Sequence, residues 1–324
     1  MPGFKFTNTE KHLNKKSLKE VMKWSLGFYQ EHPEQVAPSN FSYPNPSKSF
    51  DYHQPSATWI NHSTYLVRYH GINLLTDPIF SNRCSPLQWI GPKRLHPPGI
   101  SIENLPEIHY VLISHDHYDH LCKKSVLQLF RRFPKIQWIV PEGVAPIFHR
   151  WGIYQVKELK WWEHHHIDLI AYPCSITFTA VPSQHFSGRK MWHANKTLWC
   201  GYVVSFQSLL GAAKQFYFVG DTGYNEVDFK RIGDRFGPMD LSLIPIGTYL
   251  PTAFMSPIHI GPNQAVKIHQ EVQSKLSLGM HWKTFRLSSE PMHQPPFDLY
   301  LAMLKNQLDP LTFLAVEPGV NINW

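Results

Sequence analysis

The sequence predicts an α/β protein in which two mixed β-sheets lie between outer layers of helices, an αββα sandwich. Two observations support this fold class. Runs rich in β-formers come first in the chain, and strands alternate with helical segments only afterwards. The 27 prolines favour many loops and short elements over long helices. No repeat of short fixed period occurs, so these elements are expected to form one domain.

The first half of the chain supplies one sheet and its covering helices. Residues 57–69 alternate in polarity and resume after Gly71, which predicts a β-meander. The proline-rich stretch 85–99 predicts a long ordered loop. Further elements are predicted as strands at 108–114 and 137–141, a helix at 123–133 and a short helix that ends at Gly152.

The second half repeats this alternation. The row His164, His165 and His166 is expected to form a solvated turn in preference to a third metal site. A helix is predicted at 263–275, opened by Pro262 in its first turn. Strands are predicted at 175–183, 197–206, 215–221, 241–247 and 276–282.

Residues 1–50 are predicted to form an N-terminal arm on a main domain of residues 51–324. Within 15–31, apolar residues recur near helical spacing beside several lysines, which predicts an amphipathic helix. This helix either packs on the main domain or rests on lipid. If it touches lipid, deletion of residues 1–30 should weaken vesicle binding but leave the function of the main domain intact.

Composition excludes several classes of protein. The formal net charge of +7 is small for 324 residues and the basic side chains are scattered, so a nucleic-acid binder is not expected. The four cysteines form no CxxC pair, which argues against a disulfide framework and against thiolate zinc sites. We see no secretory signal and no apolar stretch of transmembrane length, which predicts a cytoplasmic protein that at most lies on a membrane.

The segment SHDHYDHL, residues 114–121, is the strongest functional signal in the chain. His115 and His117 are two residues apart after an apolar strand, which places both rings on one side of an extended segment. Asp119 and His120 follow where the chain turns into a helix, so they point to a neighbouring location. One short segment can therefore supply ligands to two metal ions.

The remaining ligands must come from distant segments. His185, Asp221 and His281 each follow a predicted strand, and the Asp221 carboxylate could bridge both ions. Five imidazoles and two carboxylates suit zinc, with iron or manganese as alternatives. The competing interpretation makes these residues turn and capping groups, with Asp119 as a helix N-cap.

These motifs resemble the metallo-β-lactamase-fold hydrolase superfamily, and within it the N-acylphosphatidylethanolamine-hydrolysing phospholipase D group. The resemblance runs from about residue 57 to 296. The segments that carry it include TWINHSTYLV, LTDPIF, GPKR, VLISHDHYDHL, PSQHFSGR, FVGDTGY, PIGTY, HIGPNQAVKIH and HWKTF.

The resemblance implies two Zn²⁺ per chain. One ion would be held by His115, His117 and His185, and the other by Asp119, His120 and His281. Asp221 would bridge them.

Such a centre keeps a residual positive charge, which favours a phosphodiester over a neutral amide. It would supply hydroxide at neutral pH to attack phosphorus, with Asp119 also accepting the proton of the water. His259 and its neighbour Ile258 are predicted to contact the substrate. Lys93 and Arg94 either contact an anion or clamp a loop.

The expected reaction is hydrolysis of N-acylphosphatidylethanolamine to an N-acylethanolamine and phosphatidic acid. The expected partners are thus a phospholipid and a membrane surface. The sequence is compatible with both a monomer and a homodimer. One alternative is hydrolysis of a soluble anion, such as a phosphorylated lactone, a cyclic nucleotide or an RNA end. Another is a binding module without catalysis, which the intact ligand set argues against.

Overall fold

The computed structural model describes residues 5–10, 20, 23, 28–29, 31–44, 51, 54–169, 174–189, 194–208 and 213–324. Most of the predicted N-terminal helix at 15–31 lies outside these residues. In the described part of the chain, no helix has the length and apolar character needed to cross a bilayer.

The first sheet has seven strands in the spatial order β14-β1-β2-β3-β4-β5-β6. Strands β3 to β6 run parallel to one another, whereas β14, β1, β2 and β3 pair antiparallel. Its strands are β1 (Ser56–Asn61), β2 (Thr64–Tyr69), β3 (Ile72–Thr76), β4 (Tyr110–Leu112), β5 (Gln137–Pro141), β6 (Val156–Leu159) and β14 (Asn321–Asn323).

The second sheet also has seven strands, in the order β13-β12-β11-β10-β9-β8-β7. Strands β10 to β13 are parallel, and β7 to β10 form an antiparallel meander. Its strands are β7 (His164–Leu169), β8 (Cys174–Val181), β9 (Gly201–Ser208), β10 (Lys214–Phe218), β11 (Leu241–Pro245), β12 (Leu276–Met280) and β13 (Phe313–Leu314).

Helices cover the outer faces of both sheets, which confirms the predicted αββα layers. The described α-helices are α1 (Lys123–Arg132), α2 (Ala145–His149), α3 (Asp228–Phe236), α4 (Thr252–Met255), α5 (Pro262–Glu271) and α6 (Gln294–Lys305). Short 3₁₀ helices lie at Ile102–Asn104 and Pro310–Thr312.

The alternation of side chains along the strands builds two apolar layers. In β2, Tyr65 and Val67 belong to the core between the sheets, whereas Leu66 points the other way. Leu66 packs in the outer core with Val126 and Leu129 of α1. This division explains why β2 is buried on both faces.

The row His164–His166 is not a solvated turn, so that prediction was wrong. These residues open β7, the edge strand that pairs antiparallel with β8. Their side chains alternate between exposed and half-buried, because one face of the edge strand meets solvent. The pattern has no apolar run and therefore resembles a turn in the sequence.

Candidate metal centre

The SHDHYDHL segment leaves β4 and turns before α1. His115 and His120 are buried, and the Nε2 atom of His115 lies 2.9 Å from Nδ1 of His117. The backbone turns at once, because the amides of His120 and Leu121 donate to the carbonyl of His117. Asp119 does not cap α1, since Cys122 occupies the N-cap position. The capping interpretation of Asp119 was therefore wrong.

The second sheet delivers the other three predicted ligands from loops that follow its strands. His185 comes after β8, Asp221 after β10 and His281 directly after β12. Gly220 has φ of +69°, and a Cβ atom there would lie 2.8 Å from Cβ of Ser114. A glycine is therefore required where the Asp221 loop meets the SHDHYDHL segment.

One carboxylate oxygen, Oδ2 of Asp221, is the geometric centre of the cluster. Five histidine nitrogens surround it. The distances are 3.1 Å to Nε2 of His120, 3.2 Å to Nε2 of His281, 3.8 Å to Nε2 of His185, 3.8 Å to Nδ1 of His259 and 4.0 Å to Nε2 of His115. His117 completes this side, since its Nδ1 atom lies 3.2 Å from Nε2 of His185. These contacts bring six of the seven predicted ligands together, and His259 lies beside them.

A second carboxylate, Asp119, marks the other side of the cluster. Its Oδ2 atom lies 3.4 Å from Nε2 of His120 and 3.6 Å from Nε2 of His281. It lies closest, at 3.1 Å, to Nε2 of His62. Each of four side chains offers one potential ligand atom here, and these atoms lie close enough together to bind a single metal ion: those of Asp119, His120, His281 and His62.

The sequence reasoning missed His62. This residue lies in the tight turn between β1 and β2, has φ of +44° and is buried. Its ring centroid lies 4.1 Å from that of His281. The left-handed conformation of His62 in this two-residue hairpin, where asparagine or glycine is usual, is visible only in the folded chain, and no pattern in the sequence pointed to it.

Asp77 was also missed. Its carboxylate orients the SHDHYDHL segment through hydrogen bonds. Asp77 follows β3, and its Oδ2 atom lies 2.6 Å from Nδ1 of His120. Its carboxylate also accepts hydrogen bonds from the amide of Ser114 at 2.7 Å and from the hydroxyl of Ser114 at 2.5 Å. Holding Nδ1 in this way leaves Nε2 of His120 free to bind a metal.

Two other ligands are oriented in the same manner. Nδ1 of His185 lies 2.9 Å from the carbonyl oxygen of Ile258, and Nδ1 of His281 lies 3.1 Å from Oγ1 of Thr248. Both rings therefore present Nε2 to the cluster. Ile258, predicted as a substrate contact, thus supports a ligand through its backbone.

The charges in the cluster are strongly coupled. Burial disfavours the charged form of His120, but the carboxylates of Asp221, Asp119 and Asp77 raise its pKa well above its usual range. Burial likewise opposes the charge of His281, yet Asp221 raises the pKa of His281 to about 9. Against the opposing effect of burial, the neighbouring imidazolium of His120 keeps the pKa of Asp221 well below its usual value. The Asp221 carboxylate therefore stays ionised.

Three buried atoms at the centre have no hydrogen-bond partner among the described residues: Nε2 of His120, Nε2 of His281 and Oδ1 of Asp221. Buried polar atoms normally find a partner, because leaving them unpaired costs about 1–3 kcal/mol each. Converging imidazole nitrogens and carboxylate oxygens are the donor set of a divalent metal site. The cluster therefore fits bound metal.

His259 lies on the more open side of the cluster, where its side chain is 13% exposed. It also borders a cavity of about 390 Å³ with Tyr249, Thr252 and Asp298. Burial lowers the pKa of His259 to about 4, so the ring is neutral at neutral pH.

Lys93 and Arg94 lie on the loop after β3. The guanidinium of Arg94 donates to the carbonyl oxygens of Ser81 at 2.9 Å and Ile79 at 3.0 Å. This geometry fits the loop-clamp alternative for Arg94. The side chain of Lys93 is exposed.

Comparison with known proteins agrees with this geometry. The family described as "Beta-lactamase superfamily domain" matches residues 72–282. The chain is 36% identical over 279 residues to N-acyl-phosphatidylethanolamine-hydrolyzing phospholipase D 1 of Caenorhabditis elegans, covering 83% of this chain and 76% of that protein. It is 35% identical over 239 residues to the mitochondrial enzyme of the same name from Saccharomyces cerevisiae, covering 74% of this chain and 49% of that one.

Solved structures agree at the level of the fold. Igni18, a metallo hydrolase from Ignicoccus hospitalis, superimposes with a TM-score of 0.60 at 19% identity, covering 84% of this chain and 98% of that one. The chain therefore belongs to the β-lactamase superfamily as a metal-dependent hydrolase, in the group that contains the N-acyl-phosphatidylethanolamine-hydrolysing phospholipases D.

Proposed function

We propose that the chain is a dizinc phosphodiesterase of the phospholipase D type. Its reaction would be hydrolysis of N-acylphosphatidylethanolamine to an N-acylethanolamine and phosphatidic acid. The hydrolase domain would be residues 51–324, preceded by the arm of residues 1–50. We expect a cytoplasmic protein that binds membranes peripherally. Formation of a homodimer stays a prediction.

The observation that carries this proposal is the arrangement of five histidine nitrogens within 4.0 Å of one oxygen of Asp221. His115, His117 and His185 form one group of donors, and Asp119, His120 and His281 belong to another. Asp221 lies near members of both groups. We assign one ion to each group and a bridging role to Asp221.

Zinc is the preferred metal because imidazole nitrogens dominate the donor set and no thiolate is among the seven proposed ligands. Iron or manganese would bind the same donors, so metal analysis has to decide between them. When bound, two such ions supply Lewis-acid charge and lower the pKa of a coordinated water.

The residues of the chain supply the remaining chemistry. Asp119 is the more exposed carboxylate of the centre, at 18% against 2% for Asp221. We assign Asp119 the proton of the attacking water, because its side chain can be reached from outside. Burial opposes the charge of Asp119, but the charge of His120 and hydrogen bonds from the neighbouring imidazoles hold its pKa well below the usual value, so Asp119 is ionised and can accept a hydrogen bond.

His259 is assigned to the phosphate or the leaving group. Because burial lowers its pKa to about 4, it acts as a neutral hydrogen-bond partner and not as a cationic clamp. Ile258 is expected to border the same part of the substrate. Lys93 stays a predicted anion contact, whereas Arg94 acts by holding its loop.

The test compares two substrates on one preparation whose metal content is measured. We expect turnover of N-acylphosphatidylethanolamine in mixed micelles and of bis-p-nitrophenyl phosphate, with about two zinc ions per chain. Removal of metal by a chelator should abolish both activities, and zinc should restore them.

The variant Asp221→Asn tests the bridging role. It should lose at least one ion and nearly all turnover, because the amide cannot neutralise two cations. Full activity with two ions in this variant would exclude the bridge. A two-metal protein that leaves the lipid intact but cleaves a cyclic nucleotide would instead support the soluble-anion alternative.

A further inference from the structure

The loop between β3 and the first 3₁₀ helix exposes an unusual number of apolar side chains. We call residues 82–95 the Trp89 loop. Trp89 is 75% exposed, Ile90 53% and Leu87 46%. Large apolar side chains that are adjacent and this exposed mark an interaction surface more often than scattered single ones do.

Polar bonds hold this loop in its shape from within. The guanidinium of Arg83 donates to the carbonyl of Gly91, and the amide of Arg94 donates to the carbonyl of Asn82 at 2.9 Å. The side-chain amide of Gln88 donates to the carbonyls of Arg83 at 3.2 Å and Ser85 at 3.1 Å. The apolar side chains thus project from a loop that is internally bonded.

A basic cavity of about 410 Å³ adjoins the loop. Ser85, Pro86 and Gln88 form one wall, and helix α1 contributes Lys123, Lys124 and Arg131 to another. None of the described residues that line this cavity is acidic. Apolar tips beside a cationic cavity are the combination that suits the headgroup region of an anionic bilayer.

Tyr118 also lines this cavity, and it lies between the proposed ligands His117 and Asp119 in the chain. The guanidinium of Arg189 stacks 4.1 Å above the Tyr118 ring. It also donates to the carbonyls of Asp116 at 2.8 Å and Leu121 at 2.7 Å. A surface docked here would lie directly beside the SHDHYDHL segment.

We propose that the Trp89 loop and the adjoining basic cavity form the surface by which this protein docks on anionic phospholipid bilayers. Leu87, Trp89 and Ile90 enter the interface, and Lys123, Lys124 and Arg131 meet lipid phosphates. The choice of a bilayer over a protein partner rests on the proposed phospholipase function together with this charge complementarity.

The test measures binding to vesicles by flotation. The vesicles are made of phosphatidylcholine alone or with phosphatidylglycerol. The double variant Trp89→Ser/Ile90→Ser should bind the anionic vesicles about tenfold more weakly, because two apolar side chains no longer enter the interface. The variant Lys123→Glu/Lys124→Glu should lose the preference for anionic vesicles, and added salt should have the same effect on the unaltered protein.

Tyr154→Ser is the matched control, since Tyr154 is 73% exposed but lies between α2 and β6. It should leave vesicle binding unchanged. Equal binding by the Trp89→Ser/Ile90→Ser protein, or an equal loss in Tyr154→Ser, would overturn the proposal. A shift of the double variant from dimer to monomer with unchanged vesicle binding would also overturn the proposal. That result would show that the surface binds a second copy of the chain.

Turnover of bis-p-nitrophenyl phosphate and metal content check that the double variant folds, and both should equal those of the unaltered protein. Vesicle binding does not require turnover. Loop-dependent binding by a protein that leaves N-acylphosphatidylethanolamine intact in micelles would therefore support the docking surface and reject the proposed reaction.

Discussion

His62 occupies a place in the centre that its position in the chain does not suggest. Its Nε2 atom lies 3.1 Å from Oδ2 of Asp119, and an ionised carboxylate can only accept, so the imidazole donates. Its backbone amide also donates to the hydroxyl of Thr284 at 2.7 Å. Burial lowers the pKa of His62 to about 3, which keeps the ring neutral. His62 therefore positions Asp119 by a hydrogen bond and not by charge.

His62→Leu should lower the affinity for zinc by about 10–100-fold, the usual effect of removing a group that orients a metal ligand. His62→Gln, which keeps a donor, should recover most of that affinity. Competition with a chelator measures both. Equal zinc affinity in all three proteins would exclude the positioning role, and a loss limited to the stability of the metal-free protein would make His62 structural.

At the scale of elements, one carboxylate ties together the starts of three neighbouring strands. Asp240 precedes β11 and accepts from the amide of Gln215 in β10 at 3.0 Å. It also accepts from the ammonium groups of Lys275, before β12, at 2.8 Å and of Lys214 at 3.3 Å. Burial opposes ionisation, but these donors hold the pKa of Asp240 below its usual value.

A carboxyl whose pKa is depressed by folding stabilises the native state above its unfolded pKa, near 4, and loses that contribution as the pH falls through the folded pKa. Asp240→Asn should therefore reduce the free energy of unfolding at pH 7, by about 1 kcal/mol. The difference from the unaltered protein should shrink at pH 3.

Denaturant titrations of metal-free protein at both pH values test this, since acid then releases no metal. Asp168→Asn is the control, because the side chain of Asp168 is 87% exposed and its loss should change little at either pH. A difference for Asp240→Asn that is as large at pH 3 as at pH 7 would contradict the assignment.

At the scale of the whole molecule, the N-terminal segment reaches the metal centre. Asn8 is buried, and its side-chain oxygen accepts from the amide of His185 at 3.0 Å and from the indole of Trp199 at 2.9 Å. Its side-chain nitrogen donates to the carbonyl of His185 at 2.9 Å. The first residues of the chain therefore fix the backbone of a proposed ligand, 177 positions away.

This contact changes the expectation for deleting residues 1–30. That deletion removes Asn8 and so should also reduce metal binding and turnover, even of a small soluble substrate. Asn8→Ala alone should lower zinc affinity about tenfold, because the backbone of His185 loses both of its partners.

Zinc competition and turnover of bis-p-nitrophenyl phosphate measure this effect. Val36→Ser, at a position of the same segment that is 65% exposed, is the control and should match the unaltered protein. Full zinc affinity in Asn8→Ala would show that the N-terminal segment does not support the centre.

The secondary structure was predictable where the local pattern is strong. β5 and α1 agree with the predicted bounds to within one residue, because their apolar periodicity is local. β6 and β7 carry half-exposed side chains, and α3 has few apolar residues in its nine positions, so none of them gave a clear pattern. Pairing with neighbouring strands and packing on the sheet decide such elements.

By itself, the sequence determined the αββα class and the seven ligand candidates, because histidines and aspartates directly after strands can be read along the chain. The tertiary structure alone revealed His62, Asp77 and Asn8, and the cavity that joins the Trp89 loop to Tyr118. Each of these features depends on segments that are distant in sequence and meet only after the two sheets pack together. The approach of separate segments is a property of the packed fold, which local residue patterns do not contain.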